Sequence, residues 1–250
     1  MQPKVSIMML SHHTVQWIKS AIDSVKSQTY KNWELVILDD ASTDGTWELA
    51  RGLVKGSKKI KLYRNKERLG TAAGRAKAYK HCTGDLICHL DSDDMLEPWA
   101  LDTMVEAFRR RPDIHLIYSD RMEIGPKGEF RSYVPSENYS PDAVATLGWR
   151  HFGMFRNSVM DSIDGYNPVL PHCEDGDLFM QIVEKFSVTR MTSVMYRYRA
   201  HDNNTSRKNA SCGECNYRPQ CNFVRVWCKH AGYDHLTFTP LPKPEAHAEP

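Results

Sequence analysis

Leu86-Ile87-Cys88-His89-Leu90-Asp91-Ser92-Asp93-Asp94 is the stretch on which the reading of this chain turns. A mostly apolar run of strand length ends abruptly in three carboxylates, so the strand's carboxyl end presents dense negative charge to a crevice. Residues two apart project from the same side of an extended chain, so Asp91 and Asp93 address one point, and Asp94 joins them if the backbone turns. Hard oxygen donors of this kind suit Mg²⁺ or Mn²⁺, which commonly bridge the phosphates of a nucleotide. Asp94 taken alone is expected to serve as the N-terminal acceptor of a following helix, whose pattern runs through Ala100, Met104, Val105 and Phe108.

Upstream, Val5-Ser6-Ile7-Met8-Met9-Leu10 is a short continuous apolar run, the form of a strand buried on both faces. A helix follows, with Val15, Ile18, Ile22 and Val25 at helical spacing. Trp33-Glu34-Leu35-Val36-Ile37-Leu38 reads as a second strand ending in Asp39-Asp40, and Thr43 or Asp44 can cap the helix carrying Trp47, Leu49, Ala50 and Leu53. Ile60-Lys61-Leu62-Tyr63 reads as a third strand, Gly70 to Tyr79 as a small-residue helix, and Thr83-Gly84 as the turn into the acidic strand. Strands alternating with helices imply right-handed crossovers and a parallel sheet, with ligands gathering at the carboxyl ends where the strand order switches. Both Asp-Asp pairs then face one crevice. Because Ser42 and Asp44 are better placed to cap, Asp39 is expected to stay free.

At 250 residues, with 41% hydrophobic and 26% charged residues, the chain has ordinary globular composition and enough length for a full core. A net charge of +2 carries no demand for nucleic acid, although Arg197, Arg199, Arg207, Lys208, Arg218 and Arg225 give the late chain a basic bias. The start has no signal-like apolar segment, and no run is long enough to span a bilayer, so a soluble cytoplasmic protein is expected. Of seven cysteines, Cys212, Cys215, Cys221 and Cys228 crowd into one segment. Four such thiols can supply tetrahedral ligands to a structural Zn²⁺, while disulfides or an iron–sulfur cluster would use the same residues.

Several motifs in succession resemble the nucleotide-sugar half of family 2 glycosyltransferases: Val5 to Leu10, Gln28-Thr29-Tyr30, Asp39-Asp40-Ala41-Ser42-Thr43-Asp44-Gly45-Thr46, Gly70 with Arg75, Thr83-Gly84-Asp85 and Asp91-Ser92-Asp93-Asp94. The resemblance continues through Phe152-Gly153-Met154-Phe155-Arg156, Gly165-Tyr166, Glu174-Asp175-Gly176-Asp177-Leu178 and Tyr198-Arg199-Ala200-His201-Asp202-Asn203-Asn204, about four-fifths of the chain in all. It implies an α/β, GT-A (Rossmann-like) fold: a mixed, mainly parallel sheet flanked by helices, here with a Cys-rich C-terminal extension. The expected divisions are a glycosyltransferase domain over 1–205, split into a nucleotide-sugar half (1–120) and an acceptor half (121–205), then the extension over 206–239 and a loose tail over 240–250.

The resemblance also implies roles. Asp39 looks like the acceptor for the imino proton of uracil. Asp93 looks like the direct metal ligand, with Asp91 on the ribose or on metal-bound water, and His201 matches the late histidine that completes the site. Ser11 and Ser92 fall in the donor-binding set, and Arg75 is expected on the diphosphate. Glu174-Asp175 resembles the catalytic carboxylate pair, with Asp175 as the general base that accepts a proton from the attacking hydroxyl. Two departures stand out: Leu10-Ser11-His12-His13 replaces the family's Pro-Thr-Tyr-Asn, and Gly74-Arg75-Ala76 replaces its Ala-Arg-Asn.

The expected activity is that of a metal-dependent inverting glycosyltransferase, of the hexosyl- or N-acetylhexosaminyl-transferase class, moving a sugar from a nucleotide-sugar donor, UDP-linked, to an acceptor hydroxyl by in-line displacement with Mn²⁺ or Mg²⁺. Acceptor identity is open among glycan, lipid-linked sugar, protein and modified nucleic acid. The alternative reading is a zinc-stabilised nucleic-acid-binding module on an inactive scaffold.

Overall fold

The computed structural model describes residues 2–136, 138, 152–170, 174–202 and 204. Its frame is four parallel strands: β1 (Val5–Ser11), β2 (Trp33–Asp39), β3 (Ile60–Arg64) and β4 (Leu86–His89), with β1 hydrogen-bonded to both β2 and β4. The crossovers carry α1 (Ile18–Lys26), α2 (Thr46–Val54) and α3 (Thr71–Tyr79). Beyond β4 come β5 (Met95–Leu96), α4 (Ala100–Arg110), β6 (Leu116–Ile124), β7 (Phe130–Val134), β8 (Gly153–Arg156), α5 (Glu174–Lys185) and β9 (Val188–Arg199). The sheet runs β3-β2-β1-β4-β8-β6-β9-β5, with β7 added on β6. It is mixed, because β8 lies antiparallel to both β4 and β6.

Continuous apolar strands are explained by two cores, one on each face of the sheet. Val5, Ile7 and Met9 of β1 pack with Leu35 and Ile37 of β2 against Ile18, Ile22 and Val25 of α1 and Leu101, Met104 and Phe108 of α4. The alternate residues Met8, Leu38 and Ile87 face a second core with Ala72 and Ala78 of α3 and Leu178, Phe179 and Ile182 of α5. Period-two side-chain alternation makes both faces of β1, β2 and β4 mostly apolar, with Ser6 and Glu34 buried among them, while the edge strand β3 leaves Lys61 and Arg64 partly exposed.

Small residues let α3 sit close to the sheet. A Cβ on Gly74 would lie 2.7 Å from Leu10 Cδ1, so glycine there allows the approach that sets Arg75 beside the tip of β4.

One expectation fails after Asp94. The chain does not enter a helix there: Met95–Leu96 forms β5 and pairs with Arg197 and Tyr196 of β9, and α4 begins only at Ala100. The Asp94 carboxylate accepts the Arg199 N–H at 2.7 Å instead of capping a helix, because a strand pairing brings β9 to it first. Among the described residues no helix is long and apolar enough to cross a membrane. The expected Cys-rich extension with Cys212, Cys215, Cys221 and Cys228, and the tail over 240–250, lie outside the described residues.

Candidate active site at the strand tips

The order β2-β1-β4 places the sequence switch between β1 and β4, and parallel register carries their carboxyl ends to one edge. Ser11 lies opposite Asp39, with Ser11 Oγ 3.4 Å from Asp39 Oδ1. The two acidic strand ends therefore open on the same crevice, at the place where open α/β sheets bind ligands.

Asp39 is not left free. It is fully buried, accepts the Ser42 N–H at 3.1 Å and faces Arg64 Nε at 3.4 Å. Asp44 spends its carboxylate on Thr46 and the Val15 N–H, so the turn after β2 needs Asp39 as well. Asp40 anchors the next loop, accepting from Asn65 Nδ2 and from the N–H groups of Leu69 and Gly70. At the end of β1, His12 Nδ1 is 2.8 Å from the Asp40 carbonyl oxygen; a carbonyl only accepts, so the ring carries a proton on Nδ1. His12 stacks on His13, whose φ of 55° is one of two left-handed non-glycine conformations among the described residues, the other being Ala41.

The tip of β4 gathers the strongest chemistry. Asp93 Oδ2 is 2.9 Å from His201 Nε2, and Asn204 Nδ2 approaches the same oxygen at 3.5 Å. Asn204 also accepts the His201 N–H at 2.6 Å, fixing the loop that presents the ring. Arg199, 3% exposed, donates from Nε to the Asp93 carbonyl oxygen at 2.7 Å and from Nη1 to the carbonyls of Gly125 and Pro126. Burial, reinforced by Asp93 and Asp91, pushes the Asp94 carboxyl well above the usual carboxylate range. Ser92 is buried in the same turn.

Arg75 joins this cluster to α5. Its Nη2 donates to Asp91 Oδ1 at 2.8 Å, and its Nε lies 2.8 Å from Glu174 Oε1, close in distance though without the alignment of a hydrogen bond. Arg75 and Glu174 are both buried, whereas the Asp91 side chain keeps 41% of its surface accessible. Burial raises Glu174 to about 7; Arg75 opposes the rise and Asp175 adds to it. Burial against the crevice wall, opposed by Arg75, also raises Asp91, with Asp93 and Asp175 contributing repulsion. Asp175 therefore sits within electrostatic reach of both Asp91 and Arg75, and its Oδ1 accepts the Gly176 N–H at 2.8 Å. Behind Arg75, His89 Nε2 contacts Tyr166 Oη, and burial together with Arg75 holds His89 well below its ordinary value.

Asp91, Asp93, His201, Arg75 and the Glu174-Asp175 pair are thus brought to one crevice, with Ser11 and Asp39 along the same edge. Trp17, Asn204 and the Arg75–Glu174 contact went unassigned in the sequence reading. Of these, only Asn204 carried a sequence signal, as the end of the Tyr198-to-Asn204 stretch that resembles the family. Of the late basic residues, Arg197 is paired with Glu97 at 2.6 Å and Arg199 is buried, so neither offers a cationic surface for nucleic acid. A cavity of about 560 Å³ lined by Tyr79, Asp85, Phe108 and Arg156 opens at the opposite end of β4, away from these groups.

No group of three or more His, Cys, Asp or Glu side chains among the described residues would hold a metal by itself. The donors present, one carboxylate and one imidazole converging at 2.9 Å with Asp91 nearby, fit a cation that takes its remaining ligands from a substrate diphosphate and water.

The profile described as Glycosyl transferase family 2 matches residues 6–163. Chondroitin synthase of Pasteurella multocida is 27% identical over 217 residues, 86% of this chain but 22% of that protein, so this chain spans about a fifth of that relative's length. The putative glycosyltransferase EpsE of Bacillus subtilis is 31% identical over 209 residues, covering 79% of this chain and 73% of EpsE. Among solved structures, residues 1–349 of S. aureus TarS in complex with UDP-GlcNAc superpose with a TM-score of 0.73 at 16% identity, covering 94% of this chain and 73% of that one. That likeness is one of fold, a GT-A-like mixed sheet flanked by helices. With the family profile spanning both acidic strand tips, this chain belongs to glycosyltransferase family 2.

Proposed function

We propose that this chain transfers a sugar from a UDP-linked donor to an acceptor hydroxyl by a single in-line displacement with inversion at the anomeric carbon. The observation that carries the reading is the Arg75 bridge, which ties the donor-side Asp91 to the first turn of α5, where Glu174 and Asp175 lie. Nucleotide-facing and proton-accepting carboxylates then share one crevice. Support for the donor comes from the acidic strand tips and from TarS, solved with UDP-GlcNAc.

In this reading Ser11 and Asp39 line the nucleoside end, and Asp91 with Ser92 meets the ribose and diphosphate. Arg75, bound to two carboxylates, orients them and offers its remaining N–H groups to phosphate oxygens. Asp93 and His201 would hold Mn²⁺ or Mg²⁺, which when bound neutralises the negative charge that develops on the departing nucleoside diphosphate. Asp175 accepts the acceptor hydroxyl's proton as the new glycosidic bond forms; Glu174, buried and 2.8 Å from Arg75 Nε, holds the guanidinium in place. Holding both substrates in one crevice supplies much of the remaining acceleration.

The test is incubation with UDP-sugars and Mn²⁺, following release of UDP. Asp175→Asn should lower transfer by about 10²- to 10⁴-fold, the usual worth of a general base, while leaving UDP-sugar affinity within a few-fold. Full transfer by Asp175→Asn would remove Asp175 from the mechanism, and no UDP-sugar binding by the unaltered protein would remove the donor assignment.

A further inference from the structure

We infer that Trp17 is a positioning residue for the proposed donor site, its indole face holding the His201 imidazole in the orientation that aims Nε2 at Asp93. The inference rests on the reading of Asp93 and His201 as the cation-holding pair. Trp17 belongs to the first crossover, at the N-cap position of α1, whereas His201 follows the last strand. Their rings lie parallel within 16°, with centroids 4.0 Å apart. A half-buried tryptophan at a helix N-cap makes no side-chain cap hydrogen bond there, so capping does not account for it.

The indole is itself held. Trp17 Nε1 donates to the Pro126 carbonyl oxygen at 3.3 Å, and the same oxygen accepts Arg199 Nη1 at 3.0 Å. Arg199 Nε returns to the Asp93 carbonyl at 2.7 Å, and its Nη2 reaches Ser20 Oγ, one turn along α1 from Trp17. A closed circuit results, from Trp17 through Pro126, Arg199, Asp93 and His201 back to Trp17. Backbone and carboxylate of Asp93 are thereby fixed from one side and the imidazole from the other. Hydrogen bonds fix where the imidazole edge points, while the stack fixes the plane of the ring; a histidine held only at its edge could rotate about that bond. A first-crossover aromatic thus sets a ligand that the sequence supplies 184 positions later.

An aromatic stack contributes about 0.5 to 1.5 kcal/mol beyond area burial, which is about two- to tenfold in the population of the aimed ring. The experiment measures Mn²⁺ binding in the presence of UDP, from the loss of the free-ion electron paramagnetic resonance signal, for the unaltered protein, Trp17→Phe and Trp17→Leu, with circular dichroism checking the fold. Trp17→Phe keeps a ring face and should bind within about twofold; Trp17→Leu keeps bulk but no ring and should bind about three- to tenfold more weakly. Transfer kinetics should follow, with Trp17→Leu raising the Mn²⁺ concentration for half-maximal rate and leaving kcat at saturating Mn²⁺ within about twofold. Equal Mn²⁺ affinity in Trp17→Leu and the unaltered protein, or equal losses in both variants, overturns the positioning role while leaving the sugar-transfer reading intact. Unaltered protein that takes up no Mn²⁺ with UDP overturns the assignment of Asp93 and His201 as the cation site, and this role with it.

Discussion

Arg75→Met removes the one cation between two carboxylates, and its cost should depend on pH in a defined direction. In the unaltered protein Glu174 is raised from 4.5 to about 7 by burial, with Arg75 opposing the rise. Between those values the native state holds a proton that the unfolded chain has released, so stability falls as pH rises to about 7 and then levels off. Without Arg75 the Glu174 carboxyl gives up its proton only at higher pH, and the decline continues beyond 7 at up to about 1.4 kcal/mol per pH unit. At about pH 6 Glu174 is largely neutral and the loss reflects mainly the half-exposed Asp91 pair, about 1–2 kcal/mol after solvent screening. By about pH 8.5 the deficit should reach about 3–4 kcal/mol. Urea unfolding followed by circular dichroism across that range measures the gap, and the same substitution in a Glu174→Gln background should abolish its widening. Stability curves that run parallel from pH 6 to 8.5 would refute the bridge as an electrostatic strut.

Four other outcomes follow from groups in the sheet and its crossovers. Gly84→Ala would set a Cβ 2.6 Å from the Ser6 backbone nitrogen and 2.8 Å from the Lys4 carbonyl oxygen, so about 1–3 kcal/mol should be lost in thermal unfolding. Gly74→Ala meets only the Leu10 side chain, which can give, and should cost less. Glu34 is raised by burial, but bonds from Lys4, Ser6, Lys61 and the Thr83 N–H prevail and bring it to about 2. Its contribution is therefore present above about pH 4.5 and lost as pH falls toward 2; with Lys4 and Lys61 part-exposed, Glu34→Gln should cost about 1–2 kcal/mol at pH 7 and little at pH 2 in urea titrations. Arg190→Met strands the fully buried Asp120, which it meets through two hydrogen bonds at 2.9 Å, and should cost about 3–5 kcal/mol by calorimetry, with Arg190→Met/Asp120→Asn recovering part of it.

What could be read from the chain directly was whatever a few neighbouring residues decide. Apolar runs such as Val5 to Leu10 specify strands buried on both faces, and the alternation of these runs with helical spacing specifies parallel order. Parallel order alone brings the Asp39 and Asp91 tips to one edge, because every strand of the frame must end on the same side. Local rules failed where a distant element supplied a partner first. Asp94 caps no helix because β9 brings the Arg199 N–H to it, and Asp39 is drawn into its own turn because Asp44 is occupied by Thr46 and Val15.

The family resemblance already put Asp93 and His201 at one ion; the contacts themselves belong to the tertiary structure. Asp93 and His201 are 108 positions apart, and nothing in either neighbourhood specifies that their side chains meet at 2.9 Å. Arg75 reaches Glu174 because α3, packed closely on β1 at Gly74 and Leu10, shares its core with α5. Trp17 finds His201 because the first crossover and the last strand come together over the β6–β7 turn. A sequence pattern sets which groups reach the surface of the sheet and in what order; which of them touch depends on packing between elements far apart in the chain, and that is resolved only when both cores close.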